Sequence, residues 1–356
     1  MSSRPKFRLS VRTWISLITI FLIGLTIFLA RSEITKAVQF LASVNFWILL
    51  LMIPVQFFSY YANGKEIFLY LRSKGHLKDL TPLQMMRMSM EFNFVNHILP
   101  SGGASGASYF AWQVRPYGVR PGRATMAQIV RTVLKFLSFL LLLIVALILL
   151  TIDHRVNRVA ILLALILTII IIVIALLGLY IISKPSRLNK LANWITKVIN
   201  KVVRKLTRGK KRKILSEEVL QNFFSEMHED YLDIKSDKKI LLKPFLWTFV
   251  ENISDAVFFY IAFMSFGVFI SPAAIFIAFG LSAIGGSLSV TPGGSGVYEA
   301  IMIGFLASAG VSADIAIAGT ILGRIVFLAF MVIFGYTFYQ LTILRNGNRQ
   351  APAQRQ

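Results

Sequence analysis

The sequence contains no cysteine, which excludes disulfide bonds, thiolate nucleophiles and cysteine metal ligands. Acidic side chains are also few, since 16 Asp and Glu stand against 38 Lys and Arg, and only four histidines are present. No metal-ligand spacing, nucleotide-binding glycine motif or Ser-His-Asp set occurs at a credible place. We therefore expect no metal, no cofactor and no catalytic residue, and we predict that the protein is not an enzyme.

The composition is more apolar than that of a soluble protein. Hydrophobic residues make up 56% of the 356 positions, whereas soluble domains are about 45–50% apolar. Long apolar runs such as Phe136 to Leu150 and Ala160 to Ile182 indicate an integral membrane protein. The net charge of +22 is then typical of cytoplasmic loops rich in Lys and Arg, and we predict no nucleic-acid partner.

The apolar runs predict an all-α polytopic membrane protein with six full spans and two glycine-broken re-entrant hairpins. No small-x-small cleavage site follows the first span, so we interpret it as a retained anchor with a cytoplasmic N-terminus and not as a signal peptide. Charge counting places both termini in the cytoplasm, in the plasma (inner) membrane of a bacterium. The predicted spans are Trp14–Ala30, Asn45–Tyr61, Ala124–Leu150, Val159–Ile182, Pro244–Phe266 and Ala313–Leu341, and the hairpins are Leu83–Val114 and Pro272–Ala309.

We predict one membrane domain over residues 1–356, built from two related halves. The first half-repeat covers 44–151 and the second covers 244–341, with a cytoplasmic segment 184–243 between them. Each half has a span, a glycine-broken stretch and a span with an embedded arginine. The first broken stretch could also be one interrupted span, but the basic residues after it favour a hairpin that enters from the cytoplasm. The second would enter from outside, which makes an inverted-topology repeat, a common plan in transporters.

The two broken stretches each contain a short glycine signature. The first is Pro100-Ser101-Gly102-Gly103-Ala104-Ser105-Gly106, and the second is Pro292-Gly293-Gly294-Ser295-Gly296. Proline and clustered glycine break a helix, and broken backbone at membrane depth is tolerated where it is buried in protein or lines a wet cavity. Helix ends exposed by such breaks can bind an anionic group. Close packing by small residues is the simpler alternative.

Four ionisable residues lie in apolar helices and need partners there. Glu299 follows the second signature, and an intramembrane acid costs about 2.5–3.5 kcal/mol on insertion scales. Arg324 lies deep in the last span, and Arg131 lies near the cytoplasmic end of an earlier one, where it could simply reach the headgroups. Asp255 lies one turn from Glu251 and shares its face. We expect Glu299 to serve either in function or in a structural ion pair with Arg324 or Arg131.

A basic amphipathic helix is predicted in the cytoplasmic segment. Residues 184–213 contain no acid, and apolar residues recur there at helical spacing beside Trp194, before the run Lys210-Lys211-Arg212-Lys213. We expect this helix to lie in the membrane interface and to bind anionic lipid. A plain solvated loop is the alternative.

The signature residues resemble a known family. Asn96-His97-Ile98-Leu99-Pro100, continuing through the first signature, and Thr291-Pro292-Gly293-Gly294-Ser295-Gly296-Val297-Tyr298-Glu299 are similar to segments of the lysylphosphatidylglycerol synthase transmembrane-domain family, also called flippase-like. The resemblance implies translocation of a lipid between leaflets, and a separate soluble domain makes that lipid in multidomain members. This sequence ends at Gln356, so we expect translocation and not aminoacyl transfer. Many members have a Gly-Glu pair after the first motif, where this chain has Gly106-Ala107.

We therefore predict a lipid flippase that moves a phospholipid or lipid-linked headgroup, with membrane lipids and a lipid-modifying enzyme as partners. An intramembrane enzyme acting on lipid headgroups and a non-transporting accessory subunit of cell-envelope assembly are the alternatives. His97 is predicted to be a packing residue. The predicted substrate-binding residues are Asn96, Pro100, Ser101, Gly102, Gly103, Ser105, Gly106, Arg131, Asp255, Thr291, Pro292, Gly293, Gly294, Ser295, Gly296, Glu299 and Arg324.

Overall fold

The structure is a computed structural model, and the residues it describes fold as α-helices joined by short turns. It describes residues 31–99, 104–152, 180–206, 217–289 and 291–350, with isolated positions at 21, 24, 28, 162, 169, 172, 173 and 176–178. The helices are α1 Arg31–Leu41, α2 Phe46–Leu50, α3 Met52–Ser73, α4 Pro82–Ile98, α5 Ala104–Val114, α6 Pro121–Ile152, α7 Pro185–Leu206, α8 Glu217–Ser236, α9 Leu242–Met264, α10 Pro272–Leu288, α11 Val297–Ser308, α12 Ala313–Phe330 and α13 Thr337–Gln350. A π-helical segment, Met331–Tyr336, joins the last two.

Four helical stretches are long and apolar enough to cross a bilayer. They are Phe46–Ser73, Pro121–Ile148, Lys238–Met264 and Ala313–Leu344, and each contains one of the predicted spans or overlaps most of it. The prediction of an all-helical, multi-pass membrane protein is therefore confirmed. Most residues of the other two predicted spans, Trp14–Ala30 and Val159–Ile182, lie outside the described residues.

Each glycine-broken stretch is a pair of short helices. Helix α4 ends at Ile98 and α5 begins at Ala104, while α10 ends at Leu288 and α11 begins at Val297. In the second break, Gly293, Gly294 and Gly296 have φ angles of +60°, +74° and +87°. Residues with a Cβ rarely adopt these angles, so the glycines of the second signature are required by the turn itself. Positions 100–103 of the first signature lie outside the described residues.

One predicted span is shorter than the helix that contains it. We predicted that the span from Asn45 ends at Tyr61, because Lys65 and Arg72 suggest a loop, but α3 continues to Ser73. The polar residues of this extension have partners inside the protein. The Lys65 ammonium lies 5.4 Å from the Tyr61 ring, and Arg72 donates to backbone carbonyls, including 3.2 Å to Leu77 O.

The described chain forms two compact units. Unit 1 comprises Met1–Tyr60, Met86–Gly106 and Ser254–Gln356, and unit 2 comprises Tyr61–Met85 and Ala107–Ile253. In unit 1, Tyr60, Met90 and Phe330 form a buried hydrophobic core. Phe57 packs edge-on against Phe330 with ring centroids 4.7 Å apart, a geometry that aromatic pairs prefer. This core lies beside the π-helical segment of the last span.

In unit 2, the basic helix α7 packs against α8, and α8 packs against α6. Leu188 of the predicted apolar stripe is buried, as is Ala192 one turn later, whereas Trp194 remains 62% exposed. Part of the face that we expected on the membrane surface is thus covered by α8. The run Lys210–Lys213 lies outside the described residues.

Helix α8 is held in unit 2 by a buried carboxylate. Asp230 accepts from Arg123 Nε at 2.8 Å and from the Tyr70 hydroxyl at 3.2 Å. Burial raises the pKa of the Asp230 carboxyl, and the adjacent Arg123 guanidinium opposes that rise. The acidic part of segment 184–243 is thereby anchored within unit 2 by specific polar contacts.

The topology prediction can be tested by cysteine labelling in the natural cysteine-free background. If the first broken stretch is a re-entrant hairpin, Ser73→Cys and Tyr117→Cys both lie in the cytoplasm and resist a membrane-impermeant thiol reagent in intact cells. Ser312→Cys, at the exposed start of α12, serves as the external control and is expected to react. Labelling of Cys at position 73 or 117 without permeabilisation would contradict the hairpin topology.

Candidate functional site

The second signature is an ordered turn built on side-chain to backbone hydrogen bonds. The Thr291 hydroxyl donates to Ser295 O at 2.9 Å and lies 2.7 Å from the Ser289 hydroxyl. The sequence predicts this role for Thr291, because a broken helix leaves backbone groups to satisfy. The turn delivers the chain into α11 with Gly296 at its N-cap.

Glu299 joins the turn to the last span. Its Oε2 accepts the Gly296 amide N–H at 2.6 Å, which caps the start of α11, and its Oε1 accepts from Arg324 Nε at 2.8 Å. A carboxylate in the first helical turn also opposes the positive end of the helix dipole. One side chain therefore holds the helix end and the buried arginine together.

Arg324 is enclosed by the same turn. Its side chain is 6% exposed, Nη2 donates to Gly293 O at 2.8 Å, and its guanidinium carbon lies 4.4 Å from the centre of the Tyr298 ring. An aromatic face stabilises such a cation, by about 2 kcal/mol when desolvated. Within the described residues, Nη1 has no protein acceptor, so Arg324 keeps donor capacity for a further group.

The residues that precede the first signature reach the second one within unit 1. A Cβ placed on Gly293 would lie 3.4 Å from Cδ2 of His97, and the His97 ring centre lies 5.6 Å from that of Phe327. Nδ1 of His97 bonds the Asn93 carbonyl at 2.8 Å. His97 thus packs as predicted. It lies against the second signature and against Phe327, which is one turn from Arg324 on α12.

Helix α5 returns very close to α4 at the first break. A Cβ on Gly106 would lie 2.7 Å from the Asn96 Cβ, so only glycine allows this approach. The Ser105 hydroxyl donates to Val95 O at 3.3 Å. Both residues that the sequence singled out at the end of this signature therefore serve the packing of α5 against α4.

Several buried polar atoms near this turn have no hydrogen-bond partner in the described part of the chain. They are Asn96 Oδ1, the Tyr298 hydroxyl and the Thr320 hydroxyl. Leaving a buried polar group unpaired costs about 1–3 kcal/mol, so these atoms point to water or a polar ligand. Asp255 lies in the same unit, where its carboxylate accepts from the Ser59 hydroxyl at 2.5 Å.

The comparisons with known proteins identify the family. The sequence model of one family, described as the lysylphosphatidylglycerol synthase TM region, matches residues 13–335. The chain belongs to this family. The matched range contains both signatures, Arg131 and the Glu299–Arg324 pair, so the resemblance predicted from the signature residues is confirmed.

A relative from the archaeon Methanothermobacter thermautotrophicus, described as a UPF0104 membrane protein, is 29% identical over 150 residues. The match covers 42% of this chain and 43% of the relative. The chain is thus aligned with less than half of that protein, whose description states its location in a membrane and no activity. The family therefore establishes a membrane protein, and any more specific function has to be argued from the site.

The structure brings together only part of the predicted site. Gly293, Gly296, Glu299 and Arg324 are linked by hydrogen bonds. Asn96 and Asp255 belong to the same unit. Arg131 belongs to unit 2 and bonds Glu66 there. Pro100, Ser101, Gly102 and Gly103 lie outside the described residues.

Sequence reasoning missed Tyr298, whose ring stacks on the guanidinium. Its position next to Glu299 is the only available signal.

A charge-pair test distinguishes a structural role of Glu299 from a dispensable one. Glu299→Gln leaves Arg324 as a buried cation without its counterion, and we expect a loss of about 3–5 kcal/mol in unfolding free energy. Adding Arg324→Gln removes the unpaired cation, so the double variant should recover much of the loss. Thermal unfolding of the purified protein in detergent measures the stability of Glu299→Gln, of Arg324→Gln and of the double variant.

If the loss of stability in the double variant equals the sum of the losses in the two single variants, the two side chains are not coupled. Asp230→Asn in unit 2 is the matched control. It breaks a different buried ion pair, so its effect should add to that of Glu299→Gln.

Proposed function

We propose that the protein is a lipid translocase that moves a phospholipid or lipid-linked headgroup between the two leaflets. The observation that carries this proposal is a buried arginine at a helix break. Arg324 lies in a helix long enough to span a bilayer, and it meets Glu299 at a turn that requires three glycines. A guanidinium with donors to spare is suited to a phosphate, the group that glycerophospholipids share with lipid-linked precursors.

In the proposed cycle, the headgroup binds at the turn of the second signature on its way across the bilayer. A headgroup phosphate engages Nη1 of Arg324 and the unpartnered hydroxyls of Tyr298 and Thr320, while the acyl chains stay in the bilayer. Glu299 keeps the arginine positioned, because its two oxygens bond both the arginine and the Gly296 amide. Binding energy then replaces the hydration that the headgroup loses in the membrane interior.

The proposed access pathway follows the inverted-repeat plan. The proposed topology has six full spans and two re-entrant hairpins, with both termini cytoplasmic and the protein in the plasma membrane. In this topology the two broken stretches enter the bilayer from opposite sides. Transporters of this design expose a central site to each side in turn. The four long apolar helices and the two helix pairs support this topology.

Two further partners belong to the proposal. The exposed cations Lys190, Lys197 and Lys201 and the exposed Trp194 lie on α7, a composition that favours contact with anionic lipid headgroups. A lipid-modifying enzyme would supply the translocated lipid. No nucleic acid and no enzymatic activity of the protein itself are part of this function.

The test is a leaflet-resolved assay in proteoliposomes that contain fluorescent phospholipid. The wild-type protein should expose inner-leaflet lipid to an external quencher faster than protein-free vesicles do. Arg324→Gln should reduce that rate at least tenfold, because loss of a charge-assisted contact of about 1.5–3 kcal/mol corresponds to one to two orders of magnitude. The double variant Glu299→Gln with Arg324→Gln should stay inactive even where its stability recovers.

Asp230→Asn is again the control, since it removes a buried ion pair outside the candidate site and should leave the rate near that of wild type. A wild-type rate equal to that of empty vesicles, for both a zwitterionic and an anionic lipid, would contradict the proposal. A change in the mass of the reporter lipid during the assay would favour the headgroup-modifying alternative.

A further inference from the structure

Unit 2 contains a second buried group of charges that sequence reasoning did not assemble. Glu66 on α3 and Glu251 on α9 face Arg131 and Lys135, which lie one turn apart on α6. Lys135 Nζ donates to Glu251 Oε1 at 2.7 Å, Arg131 Nε bonds Glu66 Oε1, and Arg131 Nη2 lies 3.9 Å from Glu251 Oε1. We call these four side chains the Glu66–Glu251 cluster.

The two carboxyl groups are close neighbours. The Asn63 amide nitrogen donates to Glu251 Oε1 at 2.8 Å and lies 3.4 Å from Glu66 Oε1. The Arg131 guanidinium also contacts both carboxyl groups. Asn252 joins α9 to α6 beside them, where its side-chain nitrogen donates to the Ser138 hydroxyl at 3.1 Å.

Asn63, Arg131 and Lys135 contact the two carboxyl groups at their Oε1 atoms. The Glu66 side chain is 0% exposed and the Glu251 side chain 4%. Glu66 Oε2 and Glu251 Oε2 are buried and have no hydrogen-bond donor in the described part of the chain. An ionised carboxylate only accepts hydrogen bonds, so two such oxygens cannot satisfy one another.

A proton on either Oε2 atom supplies a missing donor. A protonated carboxyl group has an O–H to donate, and neighbouring carboxyl groups can share one proton in this way. A divalent metal cation fits less well, because it would add two charges to a cluster that Arg131 and Lys135 already neutralise, whereas a proton adds one. Both cations contact the pair directly.

We propose that the Glu66–Glu251 pair is a proton-binding site that takes up and releases one exchangeable proton. The proton comes from water, forms an O–H bond on one Oε2 atom and leaves without any oxidation or reduction. Its uptake changes the formal charge of the cluster from zero to +1. Lys135 is the most exposed member, at 31%, so exchange with solvent follows its side chain.

Infrared difference spectroscopy tests this site without any transport measurement. The full-length protein in lipid nanodiscs is titrated from acidic to alkaline pH, and the carbonyl stretch of protonated carboxylic acids is recorded in H2O and D2O. The wild type should show a pH-dependent band from a buried carboxylic acid that shifts in D2O. Glu66→Gln should lose that band, because its amide supplies the donor that the proton supplied.

Asp233→Asn, which removes a mainly exposed carboxylate of unit 2, is the matched control and should retain the band. Glu251→Gln is the second variant, and it should also lose the band, so a folding failure of one variant leaves the other informative. Absence of the band from the wild type, which requires no variant, would overturn the proposal. Its persistence in both glutamine variants would do the same.

If the proposed function holds, this proton can couple translocation to a pH gradient. That coupling is measured separately from proton binding. In proteoliposomes with a pH gradient, wild-type translocation should respond to the gradient, and Glu66→Gln should retain downhill translocation while losing that response. Failure of the proposed function abolishes wild-type translocation but leaves the infrared band in place. Failure of the proton site removes the band and leaves translocation unaltered.

Discussion

A guanidinium buried in an apolar helix needs a counterion at a fixed distance, and in this protein that need is met across a helix break. Arg324 bonds the carboxylate of Glu299 and the carbonyl of Gly293, so both its charge and one of its N–H groups depend on the second signature. The same carboxylate caps α11 through the Gly296 amide. The turn, the start of α11 and the last span therefore depend on a single ion pair.

This dependence gives the glycines a physical role. Three residues with positive φ angles bring the Gly293 carbonyl and the Gly296 amide to the arginine and the glutamate, and a side chain at position 293 would meet His97. Unit 2 solves a similar problem without a break. There, Arg131 and Lys135 meet two glutamates from separate helices, and the surplus acceptor oxygens of those glutamates make the cluster suited to a proton and not to a phosphate.

Much of the fold could be predicted, because membrane helices obey composition and length. The apolar runs gave the four described spans, and proline with clustered glycine located both helix breaks to within a few residues. The continuation of α3 to Ser73 was not predicted, since Lys65 and Arg72 suggest a loop when their partners are unknown. Covering of the α7 stripe by α8 was likewise beyond prediction, because an apolar helical face looks the same whether protein or lipid covers it.

Some residues of the charged sites could likewise be predicted from the sequence, and others could not. Glu299 and Arg324 were predictable because isolated charges in apolar helices require partners, and Thr291 because a break frees backbone groups. Glu66 and Lys135 were missed because the partners that bury them come from α6 and α9, far away in sequence. No periodicity or motif encodes such a meeting, and Asn63 gives no signal apart from its place in an apolar run.

The central claim is that a lipid phosphate binds at the Glu299–Arg324 turn, and an experimental structure in phospholipid nanodiscs tests it most directly. We expect headgroup density within hydrogen-bonding distance of Arg324 Nη1, with Glu299 still bonded to Nε and to the Gly296 amide. A structure in which lipid headgroups occupy other sites, while water alone or apolar side chains fill the space at Nη1, would contradict the account.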